Sequence, residues 1–135
     1  MTDINKKDII KIEDLLKQIK IDPEKAKHGD NMWSVKQGSA IIFIITAGGF
    51  VIFQSPIMEV PKQNLATLYR KLLELNEDAG ETLGTSFGIS VQNEIVLKSL
   101  YPLKDLNFNT FSYSLTSIAH VADKYCTYFR EKFNF

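Results

Sequence analysis

Cysteine is nearly missing from this chain: Cys126 stands alone. A single thiol excludes an intramolecular disulfide and any zinc site built from several thiolates, and it fits a reducing compartment. An excess of either charge is missing too. Lys plus Arg number 16, Asp plus Glu number 16, and the formal net charge is zero. A neutral chain exerts no long-range pull on a polyanion, so neither nucleic acid nor membrane is expected as a partner. Long apolar runs are also missing. The longest, Ala40–Ala47, is far shorter than the roughly 20 residues a membrane-crossing helix takes, and Gly48-Gly49 and Pro56 interrupt the chain beyond it. The opening MTDINKKDIIKIEDLL has no unbroken apolar segment and no small-residue cleavage site, so it does not read as a secretory signal and the expected location is the cytoplasm. No repeat, low-complexity tract or linker appears. The 135 residues are expected to form one domain, long enough to bury a core without staples.

What is present is apolar residues in two periods. Residues 61–80 read as an amphipathic helix: Leu65, Leu68, Leu72, Leu75 and Ala79 recur at three- and four-residue steps, with Tyr69 and Leu73 widening the stripe. Pro61 suits a first turn and Gly80 a stop. β-Rich sequence lies on both sides, so this helix is expected to be what the sheet packs against. Residues 3–20 form a first helix with Ile9, Ile12, Leu16 and Ile19 on one face and Asp3 as its cap. Asp22-Pro23 closes it, and residues 24–31 read as a polar connection. A last helix, Phe108–Lys132, is capped by Asn107 or Asn109 and carries Phe111, Leu115, Ile118, Ala119, Ala122, Tyr125 and Phe129 in one stripe.

Between the helices the period falls to two. Met32–Gln37, Ala40–Ala47 and residues 50–58 read as three strands, and residues 86–91 and 94–100 as a second hairpin around Gln92-Asn93. The order is α-β-β-β-α-β-β-α, an α+β fold with an antiparallel sheet of about five strands. Gly48-Gly49 is a two-residue hairpin loop, which sets the register. Ala47 should oppose Phe50, Ile45 oppose Ile52, and Phe43 oppose Gln54; on the other face Thr46 meets Val51, Ile44 meets Phe53, and Ile42 meets Ser55. Both faces are therefore apolar, whereas an antiparallel sheet covered on one side normally alternates apolar with polar. Something must cover the second face: a helix of the same chain, a second subunit, or a bound protein segment. The expected partner-binding set is Ile42, Ile44, Val51 and Phe53, whose burial is worth roughly 1.5–3 kcal/mol each.

Residues that suggest chemistry have plainer explanations. His120, Asp123 and Cys126 share one helix, but six residues separate His120 from Cys126, and a single helix supplies no oxyanion donors. A solvated His–Asp pair and a half-buried thiol are expected instead. His28 has no second histidine at metal-ligand spacing, and Gly48-Gly49 lacks the lysine and following helix of a phosphate loop. Glu74, Glu77, Asp78 and Glu81 form an acidic, solvated face. Asn76, at the end of an apolar stripe, is expected to bond backbone and fix where the chain leaves its helix. No catalytic set, cofactor loop or metal set appears.

Leu68-Tyr69-Arg70-Lys71-Leu72-Leu73-Glu74-Leu75-Asn76 resembles the central-helix signature of the YbjN family, within the wider type III secretion chaperone-like fold that includes the CesT-type chaperones. Phe87-Gly88-Ile89 and Glu94-Ile95-Val96-Leu97 sit where that fold has two strands; Asp105-Leu106 and Phe111 through Ala122-Asp123 resemble its final helix, and Trp33-Ser34-Val35 its opening strand. The resemblance implies an α+β domain, commonly a homodimer, without catalytic residues; the chaperones of this fold bind an extended effector segment across apolar patches. Secretion chaperones are often acidic, so the neutral charge places the expectation on the YbjN side.

The expected function is thus non-enzymatic protein binding, of a second copy or of an extended protein segment, through apolar sheet and helix surfaces. The alternative is a small-molecule-binding domain or small enzyme with a pocket between helix and sheet, lined by Tyr69, Arg70 and His120.

Overall fold

The chain reverses at Gly48 and Gly49, whose φ angles of 59° and 83° are both in the left-handed region that a two-residue hairpin turn requires. The strands it joins, β3 (Ala40–Ala47) and β4 (Phe50–Glu59), pair antiparallel in the register that the two glycines predict, from Ala47 with Phe50 to Phe43 with Gln54. The expected pairing of Ile42 with Ser55 does not form a ladder step. There the strands part, and the Ser55 hydroxyl instead donates to the Ile41 carbonyl at 2.7 Å. The computed structural model describes residues 6–133. Asp3, the expected cap of the first helix, and Phe135, expected to extend an aromatic tail beyond the last one, lie outside them.

The described sheet has six strands, not five, all antiparallel. With β1 (Lys27–Gly29), β2 (Met32–Gln37), β5 (Ser86–Ile89) and β6 (Glu94–Pro102), its order is β1-β2-β3-β4-β6-β5. The added strand falls in the stretch expected to be a polar connection. It has three residues, all exposed, at one edge of the sheet, so no apolar alternation marks it. A one-turn helix, α2 (Pro23–Ala26), precedes it, opened by the Asp22 carboxylate accepting from the Glu24 N–H. β4 and β6 pair along their lengths except for a bulge between Pro56 and Met58, where proline could not have continued the ladder.

The helices correct one expectation. The long C-terminal helix α5 (Phe108–Lys132) crosses β2, β3, β4 and β6, and it is the element on which the sheet packs. All seven residues of its expected stripe are buried. Asn107 caps it, its side chain accepting from the Thr110 N–H at 2.9 Å. The helix read from residues 61–80 is shorter, α3 (Leu65–Asn76), and touches the sheet mainly at β5. Neither expected end is the real one. Pro61 lies four residues before the helix, which starts after Asn64 in a left-handed conformation, and Gly80 falls inside a separate turn, α4 (Ala79–Thr82). α1 (Lys6–Gln18) adds Ile12, Leu15 and Leu16 to the core.

Two polar clasps hold the α3–α4 excursion in place. The Asn76 side chain brackets Phe87 of β5: its Oδ1 accepts from the Phe87 N–H at 2.7 Å and its Nδ2 donates to the Phe87 carbonyl at 3.1 Å. The expected backbone role of this asparagine is therefore met, although its target lies in the next strand and not in its own helix. Glu81 of α4 accepts from Lys124 and from the Tyr125 hydroxyl of α5, both at 2.6 Å. These two hydrogen bonds, Lys124 first, lower the Glu81 carboxyl below its ordinary value, while burial and the carboxylate push the Tyr125 hydroxyl well up. Glu81 thus leaves the expected solvated acidic face. Beneath the clasp, Phe87 stacks edge-on against Tyr125 and Phe129.

Candidate functional site

Among the described residues, helices cover one side of the sheet only. Ile42, Ile44, Val51 and Phe53 point to that side and are 0% exposed. The expected partner-binding set is therefore corrected: these four form the core of the monomer, Phe53 lying edge-on to Phe111 of α5, and no partner can reach them while the chain is folded. The reason is the choice of face. Two apolar faces were equivalent in the hairpin pattern, and α5 takes this one.

The alternate residues form the open side. In one row across the strands stand Leu100, Ile52, Ile45 and Met32; beside it lie Pro102, Phe50 and Ala47, and on its other flank Lys98, Gln54, Phe43 and Ser34. Beyond these come Val96, Pro56, Ile41 and Lys36. Leu100 is 52% exposed, Ile41 50% and Phe50 41%, while Phe43, Ile45 and Ile52 are half-buried by their neighbours alone. Over β5 and β6 the face dips into a hollow of about 360 Å³, because Ser86, Gly88 and Ser90 are small and Val96 forms the floor; Gln54 and Lys98 edge it. At the far side, the His28 ring lies against Phe43 and hydrogen-bonds to the Ser34 hydroxyl.

A second apolar surface was not singled out from the sequence. Leu68, Leu72 and Leu75 of α3 face inward, but Leu65, Tyr69 and Leu73 point out, Leu73 being 68% exposed. Ile89 and Val91, at the end of the neighbouring β5, are exposed as well. The signal was the width of the stripe. One buried face accounts for the leucines at steps of three and four, and the additional apolar residues at steps of four need a second.

The residues expected for a small-molecule pocket do not converge. Tyr69 sits on the outer side of α3, Arg70 pairs with Glu74 at 3.7 Å on the solvent side of the same helix, and His120 is exposed on α5. Asp123, expected beside His120, accepts instead from the Ser39 hydroxyl across the β2–β3 turn. The half-buried Cys126 thiol donates to the Ile57 carbonyl at 3.7 Å. His28 lies in β1, not in a loop. Among the described residues no cluster of three or more His, Cys, Asp or Glu could hold a metal ion, and no helix is long and apolar enough to cross a membrane.

The family model described as Tir chaperone protein (CesT) family matches residues 11–123. No curated protein matches the sequence. Several solved structures share the fold. The ExoU–SpcU complex of the type III secretion system of Pseudomonas aeruginosa contains a chain that superposes with a TM-score of 0.70 at 10% identity, over 86% of this chain and 95% of that one. The HopA1–SchA chaperone–effector complex contains one with a TM-score of 0.69 at 8% identity, over 93% and 99%. The Yersinia pestis type III secretion chaperone SycH, in complex with a fragment of YscM2, gives 0.62 at 12% identity, over 83% and 93%. The matching model is that of the CesT-type chaperones within the resemblance.

Proposed function

The chain belongs to the Tir chaperone protein (CesT) family, and from that premise we propose that it is a non-enzymatic cytoplasmic chaperone that holds an extended segment of a secreted protein on the open face of its sheet. The observation that carries this reading is the uncovered row Leu100, Ile52, Ile45 and Met32, with Phe43 and Phe50 beside it. A contiguous apolar face of this kind is unusual on a lone soluble chain and marks a surface that something covers. An extended segment can lay alternate side chains on it, and the chaperone needs no chemistry to keep that segment from folding or aggregating. One solved structure of the same fold is described as a chaperone–effector complex, and another as a type III secretion chaperone bound to a fragment of YscM2, which supports the same reading.

The second apolar surface suits a second copy of the chain. Leu65, Tyr69 and Leu73 with Ile89 and Val91 form a patch at the opposite side of the molecule from β1, so a homodimer joined there keeps both open faces free. Sedimentation and the fluorescence of an apolar dye test the two surfaces separately. Leu73→Glu should turn a dimer into a monomer and leave dye binding to the sheet. Ile52→Asp with Leu100→Asp should keep the dimer and lose most of the dye signal. Dye binding unchanged by the sheet variant, in a protein that remains folded, would rule out the open face as the docking surface.

A further inference from the structure

The net charge of zero conceals an uneven distribution. Acidic side chains collect around α3 and α4, where Glu74, Glu77 and Asp78 are exposed. Along the open face, the strand pair β4–β6 carries the reverse sign. Along β6, Lys98 flanks the apolar row on one side, beside Gln54 and over the Gly88 hollow. On its other flank Phe50 and Pro102 open into a wide depression of about 610 Å³ bordered by Lys7, Lys11 and Lys104, with Asp8 the one acid among the described residues that line it. Lys11 donates to the Leu103 carbonyl, which holds its ammonium at that border. Between the two basic ends lie Leu100, Ile52 and Phe50, and no charged side chain. Glu94 and Glu59 pair with each other only beyond the bulge, past Lys98, and Asp105 follows Lys104 on the other side.

From Lys98 to Pro102 is four residues of β6, about 13 Å of extended chain. We infer that the occupant of the open face is an extended protein segment with an apolar centre of about four to six residues and carboxylates on both sides of it, lying along β4 and β6. This rests on the docking role proposed above and adds the chemistry of the client. The apolar centre supplies the buried area, and the paired lysine borders select sign and register, since a like charge placed at either border is repelled while an opposite one is held. A second copy of the chain fits less well, because its own open face would bring lysine against lysine.

Three fluorescein-labelled peptides with the same Val-Leu-Val-Leu centre, flanked by aspartates, serines or lysines, test this by anisotropy against the full chain. The aspartate-flanked peptide should bind best and the lysine-flanked one worst. The gap between them should be at least about tenfold at low salt and should shrink as salt screens it. Lys98→Glu with Lys104→Glu, checked for folding by circular dichroism, should reverse the order. Equal affinity for all three peptides would overturn the charge selection and leave the docking face standing. Binding by none would overturn both, and loss of self-association in Ile52→Asp would show that a second copy occupies the face.

Discussion

The two faces of one hairpin differ in almost nothing but what lies over them. Ile42, Ile44, Val51 and Phe53 on one side and Phe43, Ile45, Phe50 and Ile52 on the other are built from the same residue types in the same strands. The first set is sealed under α5 and belongs to the core; the second lies on the side that α5 leaves uncovered. Apolar residues in a strand therefore do not announce whether they serve the core or a partner. The covering helix decides, and it is encoded some sixty residues further on, from Phe108.

The contrast can be broken most forcefully from the core. Phe53→Ala, which removes a fully buried ring packed on Phe111 and Tyr101, should cost about 3–5 kcal/mol in denaturant unfolding. The same experiment on the open side, Phe43→Ala, should cost less than about 1.5 kcal/mol, because that ring is only partly buried. Similar losses for the two would mean that the faces are equally packed and that the open face does not exist in solution.

Smaller effects sharpen the picture at the sheet edge. Asn76→Ala removes both hydrogen bonds to Phe87 and should cost about 1–2 kcal/mol. Glu81 tests the other clasp through pH. Its carboxyl is lowered in the folded chain, so its contribution is complete above the ordinary glutamate value of 4.5 and is lost as pH falls below it. The thermal midpoint of Glu81→Gln should therefore fall less on acidification than that of the parent chain; parallel curves would show that the clasp contributes nothing. Smallest of all is Ser99→Ala. The Ser99 hydroxyl is buried opposite Phe53 with no hydrogen-bond partner among the described residues, so its removal should leave stability unchanged or raise it by up to about 1 kcal/mol.

Local chemistry was legible wherever it acts alone. Two glycines sufficed for the β3–β4 register, and the seven-residue stripe with Asn107 before it located α5 from end to end. The ends of α3 misled because Pro61 and Gly80 satisfy the usual rules for helix ends in a chain that here runs through a loop and a separate turn. Strand β1 escaped notice because an edge strand of exposed residues needs no pattern. The burial of Ile42, Ile44, Val51 and Phe53 was not legible for a deeper reason. Periodicity separates two faces but does not name them, and only the long-range packing of α5 distinguishes inside from outside.

Asn76 carries one more implication. By occupying the outward N–H and C=O of Phe87, it plugs the edge strand β5 with a side-chain amide. An unplugged edge invites another strand to continue the sheet. At Phe87 the main-chain groups that a further strand would pair with are already taken, so a chain approaching β5 there meets side chains first.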